Sequence, residues 1–410
     1  MDVSFVAPEG IWNEIPLGIF GSPYNSQQAY DECADAGFNF ALIDQNYAAI
    51  GTTSYKAILN YCVQAGINPI SMTFGTNDTT DYSDVPGYAG KFYFDEPGTS
   101  EFASIAAMVG DFEAQGYKNG IFLNNLLPSY ASKLTLEAFT YETYLDKYVT
   151  QVLSKVSGPK WLSVDFYPLW ANASGDTKVH TNYLYNLEAT AQAALKYKDM
   201  DLTVHYFVQT HGHGNEEWNV RNLSSVADIR YQYNCAMAYG VNAFSVFAYP
   251  TQKGDVFENG NGLVTINADG TTTKNESYYY VQQANNELKA WDEIYLSYDY
   301  EGTMAIGKST SGQSMVNKLS KNLTSLTGAS VVNASNDTLI GQFDKNGSKA
   351  YMVANYSDPS NDEMDTVIMN FAEGTTLQVI INGVVEETTV SNGRLVLSLD
   401  AGEAAFVIVK

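Results

Sequence analysis

Cysteine, histidine and basic residues are all scarce in this chain of 410 residues, which has three Cys, four His and 22 Lys plus Arg. Cys33, Cys62 and Cys235 fall in segments that read as helices and lack metal-ligand spacing, so a disulfide scaffold is excluded and they read as small buried hydrophobes. The single close histidine pair, His211 and His213 in a Gly-rich stretch, is too thin a set for a zinc centre, and no metal ligand is assigned. The basic residues face 46 Asp plus Glu, leaving a formal charge of −24. Such a field disfavours nucleic acid and anionic membrane surfaces as partners and favours a neutral or cationic ligand. No apolar run reaches the roughly 18 residues of a membrane span. A P-loop and a dinucleotide fingerprint are absent too: the turn after the first strand reads GSPYNS rather than GxGxxG, and no cofactor is implied.

What the chain does have is 45% apolar residues in short strand-like segments separated by helical ones, the pattern of parallel βα units. Eight such strands are expected: 16–20, 38–44, 67–74, 91–97, 119–125, 161–168, 202–209 and 241–250. Helix starts follow at Ser26, Thr99–Ser100 and Ser224, and helix stops at Gly37, Gly66, Gly116 and Gly240. Eight units over residues 1–297 fit a (β/α)8 TIM barrel, which needs about 250 residues. The third unit is weakest, since TNDTTDYSDVPGYAG lacks helical periodicity. A doubly wound open sheet is the alternative. From 298 to 410 the texture changes to alternating β-branched segments closed by DKNGS, INGV and SNGR, which predicts a small antiparallel β-sandwich as an accessory domain.

The start, MDVSFVAP, has neither the basic nor the apolar region of a leader peptide, so either the protein is cytoplasmic or a leader precedes this sequence. Thirty Tyr, few Lys and an acidic balance favour the second, a secreted or cell-surface protein. Nothing in the pattern fixes an oligomeric state.

In a barrel of this kind chemistry sits at the C-terminal ends of the strands. Those ends are polar here: Asp44 with Gln45 and Asn46 after strand two, Asp95–Glu96 closing four, and Asn124–Asn125 closing five. Asp165 and Tyr167 lie on strand six with Trp170 beyond, Gln209, His211 and His213 on seven, and Tyr249 on eight. FYFDEP is the sharpest motif. Mutual repulsion between adjacent carboxylates raises the pKa of one, as a general acid near neutral pH requires, and Glu96 is the expected acid. Strand alternation stands against this, because residues 95 and 96 should point to opposite sides. Asp165, Tyr167 and Trp170 supply an acceptor, a phenol and an apolar platform suited to a sugar ring. The loop VQTHGHGNEEWNVRN, with Glu216, Glu217 and Trp218, is expected to wall the substrate cleft. Strand seven ends in Gln209, not a carboxylate, so the nucleophile is Glu216 or Glu217 from the loop, or Asp165, or a group of the substrate itself.

Barrel order, DEP on strand four, DFYP on strand six and WNVRNLSSVADIRYQYNCAMAYGVNAFSVFAYP through strand eight resemble bacterial barrel glycoside hydrolases with a C-terminal β-sandwich. The Asp-Glu pair is also similar to that of family 20 and 123 hexosaminidases. The resemblance implies a retaining, substrate-assisted O-glycosidase acting on a carbohydrate, with Glu96 as acid/base, Asp95 polarising an acetamide and Tyr167 donating to its carbonyl. Two other readings stay open: a β-galactosidase-like enzyme using two carboxylates, and a carbohydrate-binding protein without turnover.

Overall fold

The computed structural model describes residues 13–44, 54–74, 80–117 and 119–410. Eight parallel strands close into a barrel: β1 (Leu17–Phe20), β2 (Phe40–Asp44), β3 (Asn68–Met72), β4 (Gly90–Asp95), β5 (Ile121–Leu126), β6 (Lys160–Asp165), β7 (Leu202–Gln209) and β8 (Ala243–Phe247). Each pairs with its neighbour in sequence and β8 closes on β1. All eight expected strands are present, with ends trimmed where Pro or a turn removes the ladder. Around them run α1 (Gln27–Asp35), α2 (Tyr55–Gln64), α3 (Phe102–Ala114), α4 (Tyr141–Gln151), α5 (Tyr183–Lys196), α6 (Val226–Ala238) and α7 (Glu276–Lys289). No helix lies among the described residues between β3 and β4.

Local chemistry sets the helix ends. Ser26 and Ser54 cap α1 and α2 by accepting backbone N–H groups, and Gly37, Gly66, Gly116 and Gly240 follow helices at positive φ. At α6 the expected cap fails. Ser225, not Ser224, occupies the cap position without a side-chain bond, and the buried Asp228 carboxylate takes the Ser224 N–H at 2.6 Å instead.

Strand parity divides the core in two. Phe40, Leu42, Phe92, Ile121, Leu123, Trp161 and Phe207 fill the barrel interior, while Leu17, Ile19, Tyr93, Phe122 and Val164 face the helices. Gly18 belongs to the inner layer because any Cβ there would stand 2.1 Å from the Phe40 ring.

Residues 299–409 form two antiparallel sheets. One orders Asp299–Ile306, Thr338–Lys345, Ser348–Asn355, Ala404–Val409, Thr376–Ile381 and Val384–Thr389; the other orders Ser330–Ala334, Asp365–Asn370 and Arg394–Leu399. They share an apolar cluster that includes Tyr351, Val353, Val367, Leu397 and Val407. The larger sheet lies against the barrel through Phe343 and Phe406, which meet Trp291 and Tyr295, and Gly341 lets it press onto the end of α6, where a Cβ would come 2.3 Å from the Ala238 carbonyl oxygen. Among the described residues no helix is long and apolar enough to cross a membrane.

Candidate active site

The strand-four motif defies simple alternation through two backbone features. In the pairing of β4 with β5, Phe92 stands opposite Leu123 but Phe94 stands opposite Asn124, so Tyr93 is an extra residue. This bulge reverses the parity, as bulges do. Asp95 therefore aligns with Asn125 and shares its inward side, while Phe94 packs outside with Tyr93. Glu96 then takes a left-handed backbone, φ 53°, with its N–H donating to the Asn125 carbonyl at 2.9 Å. A non-glycine residue held there stores backbone strain, of the order of 1–3 kcal/mol, which is a mark of functional sites. Both carboxylates consequently line one pocket.

That pocket opens at the C-terminal end of the barrel and, counting its open mouth, spans about 540 Å³. Asp165, the last residue of β6, and Tyr167 just beyond it complete the polar lining with Asn125 and His213. Phe20, Phe207, Phe247 and Phe257 supply the apolar lining. The rings interlock: Phe20 meets Phe207 and Phe247 at centroid distances of 5.8 and 5.4 Å, and Tyr167 meets Phe247 and His213 at 5.5 and 5.2 Å. Among the described residues, neither Lys nor Arg lines the pocket.

Three carboxyl groups with no cation among the described lining residues cannot all ionise cheaply. Asp95 and Glu96 are reached by water from the pocket mouth, yet protein crowds their remaining sides. Desolvation raises Asp95, partly offset by the Asn125 Nδ2 hydrogen bond to its Oδ1 at 3.1 Å. Glu96 is raised to about 7, by desolvation first and by the Asp95 charge second. Asp165, only 4% exposed, is raised by desolvation and then by Glu96 and Asp95, and its Oδ1 is buried without a hydrogen-bond partner. A carboxyl poised near neutrality, as Glu96 is, can give and take a proton, the requirement for general acid–base work. Tyr167 makes no hydrogen bond through its hydroxyl to any described residue, and burial raises its pKa, so it remains a phenol donor.

Of the residues singled out from sequence, Asp95, Glu96, Asp165, Tyr167 and His213 come together here. The others do not line this pocket, for specific reasons. Asn124 has outward parity: its amide binds the Phe94 N–H and the Tyr148 hydroxyl at 3.1 and 2.9 Å, and its neighbour Asn125 faces inward. Gln209 is a clamp, holding both backbone groups of Leu169 and the Arg221 carbonyl. Tyr249 turns behind the barrel onto Phe38, next to Cys33. His211 is locked inside its loop between the Gly212 carbonyl and the Gln252 N–H. Trp170 bonds the Tyr167 carbonyl, and Trp218, on the strand Trp218–Val220 paired with Leu169–Asn172, stacks under the Lys178 ammonium at 3.7 Å. Asp44 closes β2 with its N–H on Ser22, and Glu216 and Glu217 are exposed in the loop. Gln45 and Asn46 lie outside the described residues. The four phenylalanines are what a reading of strand ends alone overlooks; of the Asn124–Asn125 pair named from the sequence, counting by twos from Ile121 and Leu123 marks Asn125 as the inward member.

No protein-family model and no curated protein sequence matches the chain. Solved structures do match its fold. An α-galactosidase I from Mortierella vinacea shares 9% identity over 98% of both chains with a TM-score of 0.52. A β-galactosidase from Bacillus circulans shares 9% identity over 98% of this chain and 100% of its own, TM-score 0.54. A putative α-galactosidase from Bacteroides fragilis shares 12% identity over 97% of this chain and 79% of its own, TM-score 0.50. The chain has the (β/α)8 barrel architecture followed by antiparallel sheets.

Proposed function

We propose that the chain is a retaining O-glycoside hydrolase with Glu96 as general acid/base. The observation that carries this reading is the inward pairing of Asp95 with Glu96 in a pocket with aromatic walls that Asp165 also lines. The aromatic rings suit the apolar face of a sugar, and fold neighbours that are an α-galactosidase and a β-galactosidase support the reaction class.

In the preferred mechanism the substrate is an N-acetylhexosaminide. Glu96 gives its proton to the glycosidic oxygen as the bond from C1 breaks, and the 2-acetamido carbonyl oxygen closes on C1. Asp95, steadied by Asn125, accepts the amide N–H, and the Tyr167 hydroxyl donates to the amide oxygen before attack. Glu96, now a carboxylate, takes a proton from the water that reopens the ring. The unpartnered Oδ1 of Asp165 favours a second reading, in which Asp165 attacks C1 itself.

A panel of aryl hexosaminides and galactosides, with glycans alongside, tests both. Turnover by the wild type and its loss in Glu96→Gln supports hydrolysis; sugar binding without any turnover reduces the protein to a binder. A thiazoline inhibitor that outcompetes the free sugar supports the acetamide route. A covalent 2-fluoro glycosyl adduct on Asp165, found by mass spectrometry, replaces it with the second reading.

A further inference from the structure

A second cavity adjoins the first. It spans about 740 Å³ counting its open side, and the two share His213, while the turn Asp255–Phe257 gives Phe257 to one and Val256 to the other. Its chemistry differs. Asparagines 172, 219, 222 and 259 supply its polar character, and among the described residues no carboxylate lines it. The one cation among its described residues, Arg221, is spent on Asp228 in a two-pronged pair at 2.7 and 2.6 Å.

We propose that this groove is a second sugar subsite, so that the substrate is a neutral oligosaccharide whose chain continues past the cleaved bond. The inference rests on the glycosidase reading above. An asparagine amide can make about four hydrogen bonds, donors and acceptors side by side, which matches a sugar's hydroxyls. Asn219 uses one bond on each side of its amide, to Glu216 N and Glu216 O, so it is held rigidly with capacity to spare. His213 stands at the shared wall. Its backbone N–H is fixed to the Val220 carbonyl, and its Nδ1 lies 3.1 Å from the His211 carbonyl. A carbonyl only accepts, so Nδ1 carries the ring proton and Nε2 is a bare acceptor with no partner among the described residues. Burial keeps the ring neutral. Such an acceptor between two sugar pockets binds a hydroxyl of the glycan that bridges them. With Arg221 already paired to Asp228, the described residues of the groove offer no unpaired cation to a uronic or sulfated unit, which favours a neutral sugar there.

The test uses the full chain carrying Glu96→Gln and measures binding of N-acetylhexosamine and galactose oligomers of one to four units by calorimetry. Affinity for the tetramer of the preferred sugar is expected to exceed that for the monomer at least tenfold. Arg side chains introduced at two lining positions on separate segments, by Ala173→Arg and separately by Val256→Arg, both exposed, are expected to cut that ratio about tenfold; His213→Ala lowers tetramer affinity as well. Equal affinity for all lengths, or a ratio untouched by both groove variants, overturns the subsite. Length-dependent binding with a wild type that hydrolyses nothing keeps the groove and refutes the hydrolase reading, whereas turnover without length dependence does the reverse. Binding of none of the oligomers refutes both.

Discussion

Asn125 donates from Nδ2 to Oδ1 of Asp95 across 3.1 Å, and the two meet only because Tyr93 is bulged out of β4. This bond is the one influence that holds the Asp95 pKa down. Asn125→Ala is therefore expected to raise Asp95 further and to lower kcat/KM roughly 10- to 100-fold, the value of about 1.5–3 kcal/mol for a charged hydrogen bond. Asn124→Ala, one residue away but outside the barrel, is expected to lower Tm and leave the pH profile unmoved. Kinetics and thermal melts on the two variants check the contrast.

Glu96, raised to about 7, must be protonated to act as the acid. The expected kcat/KM falls as pH rises through about 7. Glu96→Gln should lose about 10² to 10⁴ in kcat on a natural glycan, less on an aryl glycoside with a good leaving group, and its profile should lack the alkaline limb. A limb that survives in the variant assigns the titration to another group.

His205 is buried in the barrel between the hydroxyls of Ser163 and Ser245, and desolvation lowers its pKa from 6.5 to about 3. A base depressed in the folded state contributes stability that is complete above the unfolded value and is lost as pH falls below it. Wild type is thus expected to lose stability relative to His205→Gln between about pH 6.5 and 3, with a slope approaching 1.4 kcal/mol per pH unit. Chemical denaturation across that window measures the difference, and parallel curves would sink the assignment.

The Arg221–Asp228 pair is deeply buried, with side-chain exposures of 10% and 0%. Asp228→Ala leaves a buried guanidinium and is expected to cost about 3–5 kcal/mol, while the double variant Arg221→Met with Asp228→Leu recovers most of it. Thermal and urea unfolding decide whether the double variant is the more stable of the two.

The barrel was legible because each strand is a short apolar run closed by Gly, Pro or a polar pair; β7 has the bounds that its residues suggest. In the C-terminal sheets, Asp299–Ile306 and Val384–Thr389 escape such a reading. The first has Gly302 and two acidic residues, the second is an exposed outer strand, and only pairing with neighbours defines them. The site was half legible. Asp95, Glu96, Asp165 and Tyr167 announce themselves as charge or phenol at strand ends, but the Tyr93 bulge is a property of register with β5 and leaves no local trace. Gln209 and Tyr249 show the converse: a polar group at a strand end is equally useful for clamping a neighbouring loop or packing behind the barrel.

The loop that carries His213 has one late tether. The pocket's acidic residues lie at positions 95, 96 and 165, and the loop itself ends near Arg221, but one guanidinium nitrogen of that arginine also donates to Ser360 at 3.0 Å, 139 residues further on. A chain growing from its N-terminus can close the barrel on its own residues while this tether is still unsynthesised. Ser360 thus adds a contact from the C-terminal region to a loop that Gln209 and Asp228 already hold from within the barrel, joining one edge of the groove to both parts of the chain.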